Sequence, residues 1–137
     1  MKVIRLDVKK DERGSLVEVV KPEYIGKNEM RGQFFVSTAK VGATKGHHYH
    51  TRKTEWFCVI RGTGALHLEH IETGEKRTVI MGESNMVTVE ITPQFYHYLE
   101  NAGTGEMILL VYSSEPFNPD DPDTFSREQR PEGGATS

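Results

Sequence analysis

The fold is best predicted from residues 42–62, which read GATKGHHYHTRKTEWFCVIRG. The fixed positions of the spacing Gly-x5-His-x-His-x4-Glu-x6-Gly are occupied here by Gly42, His48, His50, Glu55 and Gly62. A second spacing, His-x3-Asn, follows later in the chain as His97 and Asn101. Three histidines and one carboxylate are a common ligand set for a divalent transition metal. We therefore predict a metal site formed by His48, His50, Glu55 and His97.

Strand geometry explains how these four residues can meet. On a β-strand, the side chains at positions i and i+2 point to the same face. His48 and His50 can therefore bind one ion together, while Glu55 and His97 approach from neighbouring strands. A single histidine between inward-facing hydrophobic residues, such as His97, would more simply be a core histidine hydrogen-bonded to the backbone. The matching spacing of the other three residues favours the metal.

Length and composition indicate one domain, which we expect over residues 1–126, followed by a disordered tail over 127–137. The chain has 137 residues and a formal net charge of -3, a balance that does not indicate binding to nucleic acid. No stretch reaches the roughly 18 apolar residues of a membrane span, and the start of the chain does not resemble a signal peptide. The single cysteine, Cys58, lies in an apolar run. We expect a buried thiol and a cytoplasmic protein.

Short runs of alternating polarity recur between glycine and asparagine turns, and no segment has sustained helical periodicity. We predict strands near residues 2–7, 15–20, 33–38, 46–50, 54–61, 64–71, 76–81, 86–91, 95–100 and 106–113. About ten strands in one domain indicate an all-β sandwich or barrel that hides its strand edges.

The strand over 54–61 is apolar on both of its faces. If Glu55 faces the interior, then Phe57 and Val59 do so as well, and the residues between them face outward. The outward face must then be covered, either by flanking segments of the chain or by a second subunit. A homodimer is the more frequent solution, and we expect one here.

The motif residues resemble those of a known superfamily. Residues 42–62 match the first signature motif of the cupin superfamily at every fixed position, and the second motif is matched by Gly82, His97 and Asn101. The Pro-x-Gly of that second motif reads Thr92-Pro93-Gln94 here, so its glycine is absent. The resemblance implies the cupin fold, a double-stranded β-helix that forms a jelly-roll-like barrel.

A closer resemblance extends over residues 11 to 125, to the cupin half of capsular-polysaccharide enzymes. The similar stretches are Arg13–Leu16, Gly32-Gln33, His48–Thr51, Glu55–Phe57 and Pro119–Phe125. In those enzymes the cupin half epimerises a UDP-linked 4-keto-6-deoxy amino sugar and binds zinc, and a fused reductase domain follows the chemistry. The resemblance therefore implies a zinc ion, a nucleotide-sugar substrate and a reductase in the same pathway, which we expect as a separate partner.

A second resemblance assigns His48 a different role. The stretch from Lys45 to Tyr49 is similar to that of the deoxythymidine-diphosphate 4-keto-sugar 3,5-epimerases, in which the matching histidine is the general base and no metal is used. A metal-free enzyme would not need His50, Glu55 and His97 as well. We therefore interpret His48 as a ligand.

Epimerisation beside a carbonyl requires a positive group at the carbonyl oxygen and a base near the acidic C–H bond. Lys45 can bind the diphosphate or polarise the carbonyl, and it is a candidate for both a catalytic and a substrate-binding residue. His67 and His70 lie on opposite faces of one strand, so one of them faces inward; we choose His70 as a candidate proton carrier. Gln33 is a candidate substrate contact on the family resemblance.

We predict a nucleotide-sugar epimerase or isomerase that acts on a 4-keto-6-deoxyhexose in surface-polysaccharide biosynthesis. Two other functions stay open. The ligand set also suits Fe, Mn or Ni, which would fit a metal-dependent dioxygenase. Four protein ligands can instead close a structural zinc site, which would fit a non-catalytic cupin that binds a sugar or an effector.

Overall fold

The computed structural model describes residues 1–26 and 30–131. The predicted tail over 127–137 lies partly outside the described residues, which exclude 132–137. The described part of the tail contacts the domain: the Arg127 guanidinium pairs with the Glu69 carboxylate, and the carbonyl oxygen of Gln129 accepts a hydrogen bond from the Tyr49 hydroxyl. No helix in the described residues is long and apolar enough to cross a lipid bilayer.

The described residues form eleven strands and one short helix, α1, which spans Pro22–Ile25. The strands are β1 Lys2–Arg5, β2 Val8–Asp11, β3 Gly14–Val17, β4 Gln33–Ala39, β5 Thr44–His48, β6 Glu55–Arg61, β7 Thr63–His70, β8 Lys76–Gly82, β9 Val87–Ile91, β10 Phe95–Asn101 and β11 Met107–Ser113. The predicted all-β fold is confirmed. The prediction missed β2. This strand is mostly polar and, among the described strands, pairs only with β3, so it has no buried face to mark it.

Two antiparallel sheets form the body of the domain. One has five strands in the order β1-β9-β6-β11-β4, and the other has four in the order β5-β10-β7-β8. Their facing sides enclose one hydrophobic core, which includes Phe57, Val59, Leu66, Leu99 and Val111. Because side chains alternate along each strand, the same alternation that builds this core also turns selected polar residues inward.

Strand β6 shows the predicted division into two faces. Phe57 and Val59 pack in the core, and Glu55 is buried. On the opposite face, the Trp56 ring lies 5.6 Å from the Tyr112 ring, so residues of this chain cover part of that surface. Ile60, further along the same face, is 38% exposed.

A bulge between β5 and β10 positions the first histidine of the motif. His97 pairs with His48, but Tyr98 pairs with Gly46, so His47 is the extra residue on β5. Gly46 has a φ of 106°, and a Cβ at this position would lie 3.0 Å from the carbonyl oxygen of His97. The extra residue lets His48 turn toward the interior, while the His47 ring stacks on Tyr98 with its centroid 4.7 Å away.

The turn before β10 keeps a left-handed conformation without a glycine. Gln94, at the position of the missing motif glycine, has a φ of 74°. Its N–H donates to the carbonyl oxygen of His50 at 2.8 Å, and its own carbonyl oxygen accepts from the Ile71 N–H at 2.8 Å. These two hydrogen bonds join the turn to the motif segment and to the end of β7.

Candidate metal centre and cavity

The four predicted ligands lie together at one end of the space between the sheets. His48 ends β5, Glu55 begins β6, His97 lies within β10, and His50 lies in the segment between β5 and β6. One potential ligand atom from each side chain lies within 4.8 Å of the others. The cluster can therefore hold a metal ion.

Hydrogen bonds to main-chain oxygens orient two of the histidines. His50 Nδ1 donates to the carbonyl oxygen of Asp123 at 2.7 Å, and His97 Nδ1 donates to that of Phe95 at 2.9 Å. A carbonyl oxygen only accepts, so the proton must be on Nδ1 in both rings. The Nε2 atoms then face Glu55 Oε1, at 2.9 Å from His50 and 3.5 Å from His97.

This arrangement fits a cation. If His50 is neutral, its Nε2 lone pair faces a carboxylate oxygen, and a cation between the two groups would remove that repulsion. His97 Nε2 is buried and has no hydrogen-bond partner among the described residues. A buried polar atom without a partner is costly, and coordination to a metal would satisfy it.

The electrostatics of the cluster keep its donor atoms available. Burial lowers the pKa of His48 to about 3, and the nearby His97 and His50 add to this effect. His48 is therefore neutral at physiological pH, as a ligand must be. Burial opposes ionisation of Glu55, but the neighbouring His50 and His97 together outweigh it and hold the pKa of Glu55 below its usual range. The cluster thus offers one carboxylate and three imidazoles.

A cavity of about 570 Å³ opens beside the cluster, a size typical of small-molecule sites. Its polar wall includes Gln33, Lys45, His48, His50, Lys53 and Glu55. Its apolar wall includes Phe35, Phe57, Leu99, Leu109 and Val111. The cavity therefore combines an apolar surface with two lysines and a potential metal centre.

The predicted substrate residues lie in this wall, but the predicted proton carrier does not. Lys45 Nζ donates to Ser37 Oγ at 2.6 Å, and Gln33 Oε1 accepts from the Phe117 N–H at 2.8 Å. His70 faces inward at the end of β7, where its Nδ1 accepts from the N–H groups of Glu72 and Thr73, each at 3.2 Å. It is not among the residues that line the cavity.

Sequence reasoning missed two residues beside the cluster. Lys53 is buried in the cavity wall and donates from Nζ to the carbonyl oxygen of Pro122 at 3.3 Å. Asp123 is buried as well and contacts the segment that joins two of the ligands. Lys53 could have been suspected from its place between His50 and Glu55. Asp123 belongs to a stretch singled out only by family resemblance.

Comparisons with known proteins find a matching family model and a curated relative. The family model for the polysaccharide biosynthesis C-terminal domain matches residues 9–125. The chain is 34% identical, over 116 residues, to the UDP-2-acetamido-2,6-beta-L-arabino-hexul-4-ose reductase of Pseudomonas aeruginosa, with 85% of this chain and 30% of that protein covered. The chain thus spans about a third of the length of this curated relative.

Solved structures show the same fold. The capsular polysaccharide assembling protein CapF of Staphylococcus aureus is 32% identical, with a TM-score of 0.68 over 88% of this chain and 32% of that chain. The dTDP-6-deoxy-D-glucose-3,5-epimerase RmlC of Legionella pneumophila is 20% identical, with a TM-score of 0.76 over 90% of this chain and 70% of that chain. A dTDP sugar isomerase of Desulfovibrio desulfuricans is 16% identical, with a TM-score of 0.81 over 97% of this chain and 85% of that chain. The last two similarities concern the fold alone.

Proposed function

The chain belongs to the family of polysaccharide biosynthesis C-terminal domains, and we propose that it is a nucleotide-sugar epimerase or isomerase. Its substrate would be a 4-keto-6-deoxyhexose linked to UDP or dTDP, in surface-polysaccharide biosynthesis. One observation carries the proposal: a cavity of about 570 Å³ places two lysines and the His/Glu cluster around an apolar space. The names of the similar proteins, which include nucleotide-sugar epimerases and a nucleotide-sugar reductase, support the same substrate class.

The cavity wall suits the removal of a proton beside a ketone. That step creates negative charge on the carbonyl oxygen, which a nearby cation stabilises. Lys53 is buried, and its ammonium uses one hydrogen bond on Pro122. Since an ammonium has three N–H donors, Lys53 can also donate to a substrate oxygen. Lys45 and Gln33, on the same wall, would bind the diphosphate or the sugar hydroxyls.

The metal would be held by His48, His50, Glu55 and His97, and zinc is the ion that we propose. When bound, it would supply either a Lewis acid beside the sugar or a structural crosslink between the strands. The buried Glu55 carboxylate supports this assignment. The Nδ1 hydrogen bonds of His50 and His97 leave the Nε2 atoms of both rings able to bind an ion. One nitrogen of each of the three histidines and one carboxylate oxygen are close enough to reach the same ion.

The two predicted catalytic residues, Lys45 and His70, can be tested separately. Lys45 can reach a substrate directly, since it lies in the cavity wall. His70 would act only through intervening groups, because its Nδ1 is engaged by the turn that follows β7. Proton exchange should therefore be lost in Lys45→Met and retained in His70→Gln. Loss in His70→Gln alone would assign the transfer to His70.

We also propose three features of the biological context. A second copy of the chain would cover the exposed apolar residues of β4, which supports a homodimer. A reductase would consume the epimerised product, as the name of the Pseudomonas relative suggests. The protein would act in the cytoplasm, which is supported by its single cysteine: Cys58 is a buried free thiol whose pKa burial raises to about 11.

The experiment is to incubate the protein with UDP- and dTDP-4-keto-6-deoxy sugars in D₂O and to follow the sugar protons by NMR. Deuterium should enter at a carbon that flanks the ketone, and Lys53→Met should slow its entry. Lys10→Met, a change on the β2–β3 hairpin, is the matched control and should behave like the unaltered protein.

Other outcomes identify the other functions. Bound iron with consumption of oxygen would indicate a dioxygenase instead. Tight binding of the nucleotide sugar without any exchange would indicate a binding protein with a structural metal.

A further inference from the structure

We propose that Asp123 is a positioning residue for the metal centre, through which the segment after β11 controls how tightly the metal is held. This inference rests on the proposed metal centre and concerns a residue that contributes no ligand atom to it. Its main-chain oxygen orients His50, and its carboxylate holds the segment between His50 and Glu55.

The carboxylate of Asp123 binds three consecutive main-chain N–H groups. Oδ1 accepts from the Thr51 N–H at 3.0 Å and from the Thr51 hydroxyl at 2.6 Å. Oδ2 accepts from the N–H groups of Arg52 at 2.9 Å and Lys53 at 3.1 Å. Hydrogen bonds from main-chain N–H groups to an ionised acceptor are among the stronger ones in proteins. Asp123 therefore fixes the segment that connects two of the four ligands.

The main-chain oxygen of the same residue fixes a ligand directly. It accepts the proton of His50 Nδ1 at 2.7 Å, which leaves Nε2 as the donor atom that faces Glu55. Partners of this kind, one step removed from the metal, set the tautomer and ring orientation of histidine ligands, and their loss typically weakens metal binding about 10- to 100-fold. One residue thus acts on His50 from its Nδ1 side and on the segment that follows it.

The backbone conformation of Asp123 makes both contacts possible. Its φ of 49° lies in the left-handed region, which aspartate and asparagine tolerate better than most residues. The segment is also anchored without Asp123, because Tyr49 and Phe125 exchange main-chain hydrogen bonds of 2.9 and 3.0 Å. A variant that alters only the carboxylate should therefore leave the stretch around Asp123 attached to the domain, but it should loosen the position of residue 123 relative to His50.

The test compares Asp123→Asn with Asp121→Asn, and zinc is the probe. Asp121 lies two residues away and pairs with the exposed Arg52 guanidinium at 3.2 Å, so it is a matched control. Asparagine keeps the shape and tolerates the left-handed conformation, but its amide nitrogen cannot accept an N–H bond. We expect zinc affinity, measured by chelator competition, to fall about 10- to 100-fold in Asp123→Asn and to stay unchanged in Asp121→Asn.

A second readout separates positioning from simple destabilisation. NMR of the imidazole nitrogens in the metal-free protein should show the Nδ1–H tautomer of His50 in the unaltered chain and a mixture of tautomers in Asp123→Asn. A lower melting temperature with unchanged zinc affinity would overturn the inference. If Asp123→Asn does not fold, Thr51→Val removes a single hydroxyl bond to the same carboxylate, and unchanged zinc affinity there would overturn it as well.

The inference and the proposed metal centre fail in different ways. If the unaltered protein binds no zinc, cobalt or iron, the metal centre is wrong and the inference is wrong with it. If the unaltered protein binds zinc and Asp123→Asn binds it equally well, only the inference is wrong.

Discussion

The two ends of the cavity are built differently. At the inner end, defined by His48, His50, Glu55 and His97, the last three residues are buried, and the rings of His50 and His97 are held by hydrogen bonds from within the chain. At the β4 rim, defined by Phe34, Phe35 and Val36, the side chains are 41–60% exposed, and Phe35 lines the cavity. The chain thus completes the inner end by itself and leaves the rim uncovered.

The reason for this difference is the position of the strands in the sheets. β6 and β10 are interior strands with a neighbour on each side, whereas β4 pairs, within residues 1–26 and 30–131, only with β11. An edge strand that is apolar on both faces is a surface on which another chain can pack. Metal affinity and stability should therefore depend on the charge and protonation of the inner end. Substitutions at the rim should instead change how tightly two copies of the chain associate.

The largest effect is expected from Glu55→Gln at the inner end. The change leaves three histidines without their carboxylate, and we expect the free energy of zinc binding to weaken by about 3–5 kcal/mol, the range for removing one partner of a buried charge pair. Metal content after dialysis and calorimetric titration measure it. Glu69→Gln, which alters the partly exposed pair with Arg127, is the control. Equal metal content in both variants would mean that Glu55 is not a ligand.

A change of pH should affect the inner end next most strongly. The pKa of His48 is lowered in the folded state to about 3 from 6.5, so below pH 6.5 the unfolded chain binds a proton that the folded chain does not. Stability must therefore fall as the pH falls through this window, by roughly 1.4 kcal/mol per pH unit and about 2–3 kcal/mol from pH 6 to pH 4.

Urea denaturation of the metal-free protein measures this pH dependence, and His48→Gln should flatten it. An equally steep dependence in His48→Gln would assign the effect to other groups.

The rim is tested by Val36→Lys. If a second copy covers β4, a lysine there removes the burial of a valine, a loss of about 1.5–3 kcal/mol or roughly a 10- to 100-fold weaker dimer. Light scattering over a range of concentrations measures it. Ile80→Lys is the control, since Ile80 is 50% exposed on β8, the edge of the other sheet. Dissociation by Ile80→Lys alone would place the interface on β8 instead.

The smallest effect is expected at the turn that joins the inner end to β10. Gln94 has a left-handed backbone, which costs most residues roughly 1–2 kcal/mol, whereas glycine adopts it freely but loses about 0.5–1 kcal/mol in chain entropy. Gln94→Gly should therefore stabilise the fold by about 0.5–1 kcal/mol in urea denaturation. Gln94→Ala keeps the strain, and equal stabilisation by Ala would show that the conformation is not the cause.

Much of the inner end could be predicted because its signals are local. His48 and His50 are two residues apart, and Glu55 and His97 lie in strands whose alternation is visible in the sequence. Lys53 and Asp123 could not be found in this way. Asp123 contacts residues about 70 positions earlier in the chain, and no periodicity relates the two segments.

The sequence by itself determined the all-β architecture and the four candidate ligands, since strand alternation and motif spacing depend on neighbouring residues. Only the tertiary structure decided what surrounds those ligands. In the folded chain, a bulge turns His48 inward and His70 lies outside the cavity wall. Lys53 and Asp123 lie beside the ligands. Long-range packing sets these contacts, because the pairing of strands distant in sequence is chosen by the whole core rather than by any one segment.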